Sequence, residues 1–479
     1  MPPETSKPVI VIGAGPAGMT AAYCLARAGV PVVVYEGAER VGGLARSLDL
    51  WGQRIDLGPH RFFSSDPWVN GLWLEVVGRD YRMVDRLTRI FYGGKFFDYP
   101  LKATNALLNL GPFEALRCVL SYLREKFRKN PEQPGTGSFE SWVVSRFGRR
   151  LFEIFFKSYS EKLWGISCQE LDSDFASQRI KKFSLGQAIK SVFVGGGRHK
   201  TLVDRFAYPV GGTGAVYEKM ADKVAEMGGK VKLGSPVRGV WTEGKVVKGI
   251  VDGDGIQIEA SHVISTMPLT LMVKSLGSLP LPVEEAVTSL RFRNTILVFL
   301  EVEGTGWFPD QWLYIHSVEL QTGRLTNFRN WIPEICQGSP HTILALEYWC
   351  YDEDALWKED EGTLVNRATE EIYKTGLIPA GKVLQGKAMR LPRCYPVYSR
   401  GYHGRLRVVQ DFLQGFTGLS AIGRYGAFKY NNQDHSILMG LMVAENLTKG
   451  TKHDLWAVNT DYEVYQEAAI ITESGLAPA

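Results

Sequence analysis

Residues Pro8–Ser47 read PVIVIGAGPAGMTAAYCLARAGVPVVVYEGAERVGGLARS, and the fold is decided here. The apolar run Val9–Ile12 has the composition of a parallel strand buried on both faces. Gly13, Gly15 and Gly18 come at once in G-x-G-x-x-G spacing: one for a tight turn, one for close approach to a pyrophosphate, one for helix–strand packing. A helix from about Pro16 to Ala28 then aims its N-terminal N–H groups at that phosphate. A second strand, Pro31–Tyr35, ends at Glu36, a carboxylate placed to accept hydrogen bonds from a ribose diol. Strand, glycine turn, helix, strand and acid together predict a Rossmann-type dinucleotide site, which the glycine spacing alone would not.

Past Glu36 come Arg40, Gly42, Gly43 and Leu44. A second glycine pair lets the backbone also approach the far half of a long cofactor. The E-x-x-x-R-x-G-G arrangement resembles the FAD-binding fingerprint of the flavin amine oxidase and protoporphyrinogen oxidase superfamily, which implies FAD.

The 479 residues exceed one ordinary core and fit two or three domains. With 45% hydrophobic and 22% charged residues the chain reads as a folded globular protein. A net charge of +4 is too small to point to nucleic acid. Between Arg179 and Arg205, seven Lys or Arg residues accompany the single acid Asp204, a run that suits a solvated face or an anionic ligand. The six cysteines are scattered, so neither a disulfide framework nor a metal site is expected, and a cytoplasmic setting is. No signal peptide or spanning stretch is predicted; peripheral membrane contact and oligomeric state stay open.

Along the chain, Trp51–His60 reads as a short strand pair that returns through Gly58-Pro59-His60, a candidate return to the cofactor in which His60 is either a group over the flavin or a surface-turn histidine. Arg89–Pro100 reads as an aromatic hairpin around Gly93-Gly94. Lys102–Ser191 is helical in pattern, with Leu151, Phe152, Phe155, Phe156, Tyr159 and Leu163 recurring as a core face and a loop at Pro131–Ser138. From Leu290 to about Gly401 alternating aromatic strands predict a large antiparallel sheet. One face of it, bearing Arg291, Arg293, Tyr314, Asn327, Arg329 and Trp331, would floor a polar site.

The expected architecture is therefore α/β plus α+β. It comprises a discontinuous FAD-binding domain (1–66, 207–272, 408–450), an inserted helical domain (100–198), a mixed or antiparallel substrate sheet (67–99, 273–407) and a loosely attached polar tail (451–479).

Four further blocks resemble UDP-galactopyranose mutases. They are Gly58-Pro59-His60; Phe155–Gly165 with Trp164; Leu171–Arg179; and Gly423-Arg424-Tyr-Gly-Ala-Phe-Lys-Tyr430, with Tyr395-Pro-Val as an added tyrosine strand. The resemblance implies that Val237 and Gly423 contact FAD and that His60 sits by the flavin. It also implies that Arg179, Arg424, Tyr395, Tyr430 and Trp164 hold a nucleoside-diphosphate sugar. Planar guanidiniums and tyrosine hydroxyls suit a diphosphate. The implied reaction is pyranose/furanose isomerisation through a reduced-flavin N5–sugar adduct, with an external reductant. Where the mutases carry Y-L-D-M, this chain has Tyr430-Asn-Asn-Gln-Asp-His435, which fits a different sugar nucleotide or glycosyl substrate. An FAD oxidase, desaturase or amine oxidoreductase that moves hydride to the flavin is the alternative, and a non-enzymatic flavin-binding protein the third reading.

Overall fold

The computed structural model describes residues 7–127, 137–174, 205–458 and 470–477. At its centre the strand Val9–Ile12 lies in a five-stranded parallel sheet. Its neighbours are His262–Ser265 on one side and Val32–Tyr35 on the other, with Leu419–Ala421 and Lys230–Lys232 at the edges. Both faces of the central strand are covered, which is why its four residues are apolar and buried without alternation. The helix Pro16–Arg27 packs on one face and is itself covered by the helix Gln433–Lys449. These helices lie so close that a Cβ on Gly440 would come within 2.6 Å of the Ala17 carbonyl oxygen. Each fully buried aliphatic side chain in this layer contributes roughly 1.5–3 kcal/mol.

The second layer is a seven-stranded mixed sheet, ordered Val383–Pro396, Phe292–Glu303, His341–Cys350, Arg324–Asn327, Trp312–Ile315, Thr88–Tyr92 and Lys95–Asp98. All pairings are antiparallel except that of Trp312–Ile315 with Thr88–Tyr92. The hairpin predicted around Gly93-Gly94 thus supplies the last two strands. Alternation along His341–Cys350 divides the sheet. Leu344, Leu346 and Tyr348 join the core beneath the helix Glu361–Lys374, and Ala345, Glu347 and Trp349 turn the other way. A single-turn π-helix, Glu153–Lys157, interrupts the helices from Phe139 to Trp164. Within this turn Phe155 packs on Phe97, and just beyond it Tyr159 faces Tyr314 and Trp349.

Two expectations are corrected. The described parts of the tail are docked rather than loose. Val458 is buried, the Lys429 ammonium donates to the carbonyls of Trp456 and Val458, and the Ile470–Ala477 hairpin accepts a hydrogen bond from Tyr81. Apolar side chains such as Val458 and Trp456 and a few backbone carbonyls make these attachments, which the segment's average polarity does not disclose. The residues expected to form a sheet-face floor do not share a face. Arg293 is buried and donates to the carbonyls of Lys162, Leu163 and Trp349, Arg329 to those of Ser339 and His341, and Trp331 packs on Trp312 and Tyr208.

Candidate functional site

Three glycine-bearing junctions meet at the carboxyl ends of the parallel strands, where open α/β sheets bind ligands. A Cβ on Gly18 would lie 1.9 Å from the Gly13 carbonyl oxygen, so helix and turn close only around glycine. Gly43, at φ +56°, brings the second glycine pair back against the first, its would-be Cβ 3.0 Å from the Gly15 Cα. Gly423, starting the last junction, faces Ala17. The helix Pro16–Arg27 has no side-chain cap at Gly15 and no acid in its first turn, leaving its dipole end open to phosphate.

Glu36 stands at the end of the second strand. Its carboxylate accepts the N–H groups of Ala14 (2.7 Å) and Ala38 (2.9 Å), which fix its orientation and leave lone pairs for a diol. Val237 opens the strand Val237–Glu243, next to Pro236, which packs on Gly37. Leu44 packs into the core from the short helical turn Gly43–Ala45. Arg40 is half exposed and paired with Asp49 (3.0 Å), so its guanidinium is engaged at the surface. A bare-backbone cradle, an uncapped helix start and a strand-end carboxylate fit a dinucleotide-type flavin cofactor. Gly13, Gly15, Gly42, Gly43, Glu36 and Gly423 would hold it.

Facing this cradle is a cluster of rings and guanidiniums. Tyr395 stacks on Tyr430 (5.5 Å between centroids, 25°), and Trp164 lies behind both at 6.3 and 5.7 Å. Trp164 ends the helix Ser158–Trp164 and is fully buried, so it shapes the wall from behind the tyrosines. Tyr398, stacked on Trp164, accepts the Tyr430 backbone N–H at 2.8 Å. Arg424 lies over the rings of Tyr395 (4.9 Å) and Tyr430 (4.3 Å). It is held by hydrogen bonds to the carbonyls of Cys394 and Asn431, both 2.8 Å. Among the described residues Arg424 has no carboxylate partner.

His60 enters from the other side. A Cβ on Gly58 would sit 3.2 Å from the Glu347 carboxylate, 3.7 Å from His60 Cε1 and 3.8 Å from Arg324, so glycine lets the turn pass close to the sheet. Burial, with the charges of Arg324 and Arg424, pushes the His60 imidazole down to about 3, which keeps it neutral near pH 7. Its Nδ1 is buried without a hydrogen-bond partner among the described residues, and Thr213 fixes its backbone carbonyl.

The Rossmann turn, His60, Trp164, Tyr395, Arg424 and Tyr430 are thus brought into one region; Arg179 lies outside the described residues. Sequence reasoning missed Arg324, Glu347 and Tyr159. Arg324 stands directly opposite Glu347 in the ladder and is joined to it by two 2.6 Å hydrogen bonds, with Tyr395 Oη 3.3 Å from Nη2. Burial opposes the Arg324 charge, yet Glu347 raises its pKa well above the usual guanidinium range. Tyr159, expected on a core face, stacks on His316 (4.8 Å, 15°), and burial raises its phenol well above the ordinary value. Strand register, which composition does not encode, was the signal that could have found Arg324.

The fold and the glycine cradle define a flavoprotein. A family model for flavin-containing amine oxidoreductases matches residues 16–383, and the chain belongs to that family. The structure is similar to that of reduced UDP-galactopyranose mutase, with a TM-score of 0.83 at 21% identity over 96% of this chain and 99% of the other. In sequence it is 26% identical over 283 residues to a lycopene-forming phytoene desaturase of Pantoea ananas, covering 54% of this chain and 55% of that protein. It is also 26% identical over 190 residues to a probable UDP-galactopyranose mutase of Klebsiella pneumoniae, covering 37% of this chain and 46% of the relative. The chain thus matches about half the length of these relatives.

Proposed function

We propose that the protein is an FAD-dependent enzyme acting on a nucleoside-diphosphate sugar, interconverting pyranose and furanose forms with no net redox change. The observation that carries this reading is Arg424. Its guanidinium is oriented by two carbonyls and lies against the rings of two stacked tyrosines, and lacks a carboxylate to neutralise it among the described residues. A cation built into a site in this way suits an anionic ligand, and the planar fork suits phosphate oxygens. Arg324, already neutralised by Glu347, is suited to orienting Tyr395 instead.

FAD is the fit for the cradle because the Gly42–Gly43 pair packs back on the first glycine turn and Glu36 follows the second strand; Val237 would take its adenine side. When reduced, the bound flavin would supply a nucleophilic N5 to such a reaction, and an external reductant would keep it in that form. The protein's own part is to bind and orient. Arg424, Tyr395 and Tyr430 hold the diphosphate and stabilise the charge it gains as it leaves the sugar; Arg179 is assigned to the same task. His60, kept neutral, offers a hydrogen-bonding nitrogen without adding a third positive charge. Trp164 fixes the tyrosine pair from behind.

The relationship to a phytoene desaturase supports a second reading, in which the flavin accepts hydride from a carbon–carbon unit. Turnover separates the two. Anaerobic protein with reduced flavin, given nucleotide sugars, should yield ring-contracted product without consuming reductant. Substrate-dependent bleaching of oxidised flavin, with hydrogen peroxide released in air, would establish the oxidase reading instead.

A further inference from the structure

Outside the flavin site, the helix Pro112–Lys126 presents an apolar stripe to solvent. Phe113, Leu116, Leu120, Leu123 and Phe127 recur at three- and four-residue spacing, so they share one face. Their relative exposures are 69%, 57%, 56%, 41% and 81%, and Leu108, from the preceding helix Ala103–Leu110, is 81% exposed. The helix is not simply turned the wrong way. Its inner face buries Cys118 and Tyr122, whose backbone packs on Gly148, and Glu114 ties it to Arg150 at 2.5 Å. Outward apolar residues of this size and continuity mark a contact surface.

The charges on this face narrow the occupant. Arg117, Arg124 and Lys126 are exposed beside the stripe, and Arg117 lies along it, 4.5 Å over the Phe113 ring. The two acids of the helix do not balance them, since Glu114 is shared between Arg150 and Arg117 and Glu125 is half-buried. A second copy of the chain docked here would bring like charges together. An anionic bilayer takes both features at once, accepting the apolar side chains among its acyl chains and the cations among its phosphates. No helix among the described residues is long and apolar enough to cross a membrane.

We propose that the Pro112–Phe127 face docks the protein on an anionic lipid bilayer, with the helix lying in the interface plane. The test is co-sedimentation of the full chain with vesicles of phosphatidylcholine alone or with about one third phosphatidylglycerol. Binding should require phosphatidylglycerol and weaken as salt is raised. Leu116→Glu/Leu120→Glu should weaken it by about tenfold or more. Arg117→Gln/Arg124→Gln, which keeps the apolar stripe, should lose the preference for anionic lipid while retaining bound flavin. The proposal is overturned if the wild-type chain ignores both vesicles or if both variants bind as it does. It is equally overturned if the chain instead forms a dimer that Leu116→Glu/Leu120→Glu dissociates.

Discussion

Arg324 and Glu347 face one another across adjacent antiparallel strands and share two 2.6 Å hydrogen bonds, with Glu347 almost wholly buried. Removing one partner would strand the other's charge in the interior, at a cost of about 3–5 kcal/mol. Glu347→Ala is therefore expected to lower unfolding free energy by that amount in denaturant titrations. The double variant Arg324→Met/Glu347→Leu should lose distinctly less. Equal losses in the two would show that packing, rather than charge compensation, governs this pair.

His60 imposes a pH dependence. Its folded-state pKa is pushed down to about 3 from an ordinary 6.5, so the unfolded chain takes up a proton that the folded chain refuses. The stability His60 contributes is present above pH 6.5 and is lost progressively as pH falls from there towards 3. His60→Gln should flatten this part of the pH–Tm curve relative to wild type. An unchanged slope would assign the dependence to other groups.

Gly43 tests the cofactor cradle. A methyl group at φ +56° and 3.0 Å from the Gly15 Cα would force the two glycine turns apart. Gly43→Ala should purify with less bound flavin, read from its visible absorbance, while far-ultraviolet circular dichroism stays at the wild-type level. Full flavin occupancy would mean that the second turn is not part of the cradle.

Much of this was legible in the sequence because glycine geometry is local. The spacing of Gly13, Gly15 and Gly18, the acid at Glu36 and the pair Gly42–Gly43 each answer backbone demands met within a few residues. Arg424 and Tyr430 were legible because they share one short block. Arg324 was not, since it is one of several arginines, with Arg291, Arg293 and Arg329, in a stretch of uniform strand-like composition. Only cross-strand register separates the arginine opposite Glu347 from Arg293, which is spent on backbone carbonyls. Tyr159 was read as a core residue and does pack against the core; the helical period does not show that this position also borders Tyr314 and Trp349.

Arg424 differs from Arg324 in having two ring faces and two carbonyls about it, but no carboxylate among the described residues. Calorimetric titration of the flavin-loaded protein with uridine diphosphate tests most directly whether that charge awaits a diphosphate. Charge-assisted hydrogen bonds of this kind contribute about 1.5–3 kcal/mol, so Arg424→Ala should weaken binding roughly ten- to a hundredfold with flavin retained. Arg424→Lys should recover little of it, because an ammonium lacks the planar fork. Uridine diphosphate binding that is equally tight in wild type and Arg424→Ala would contradict the account.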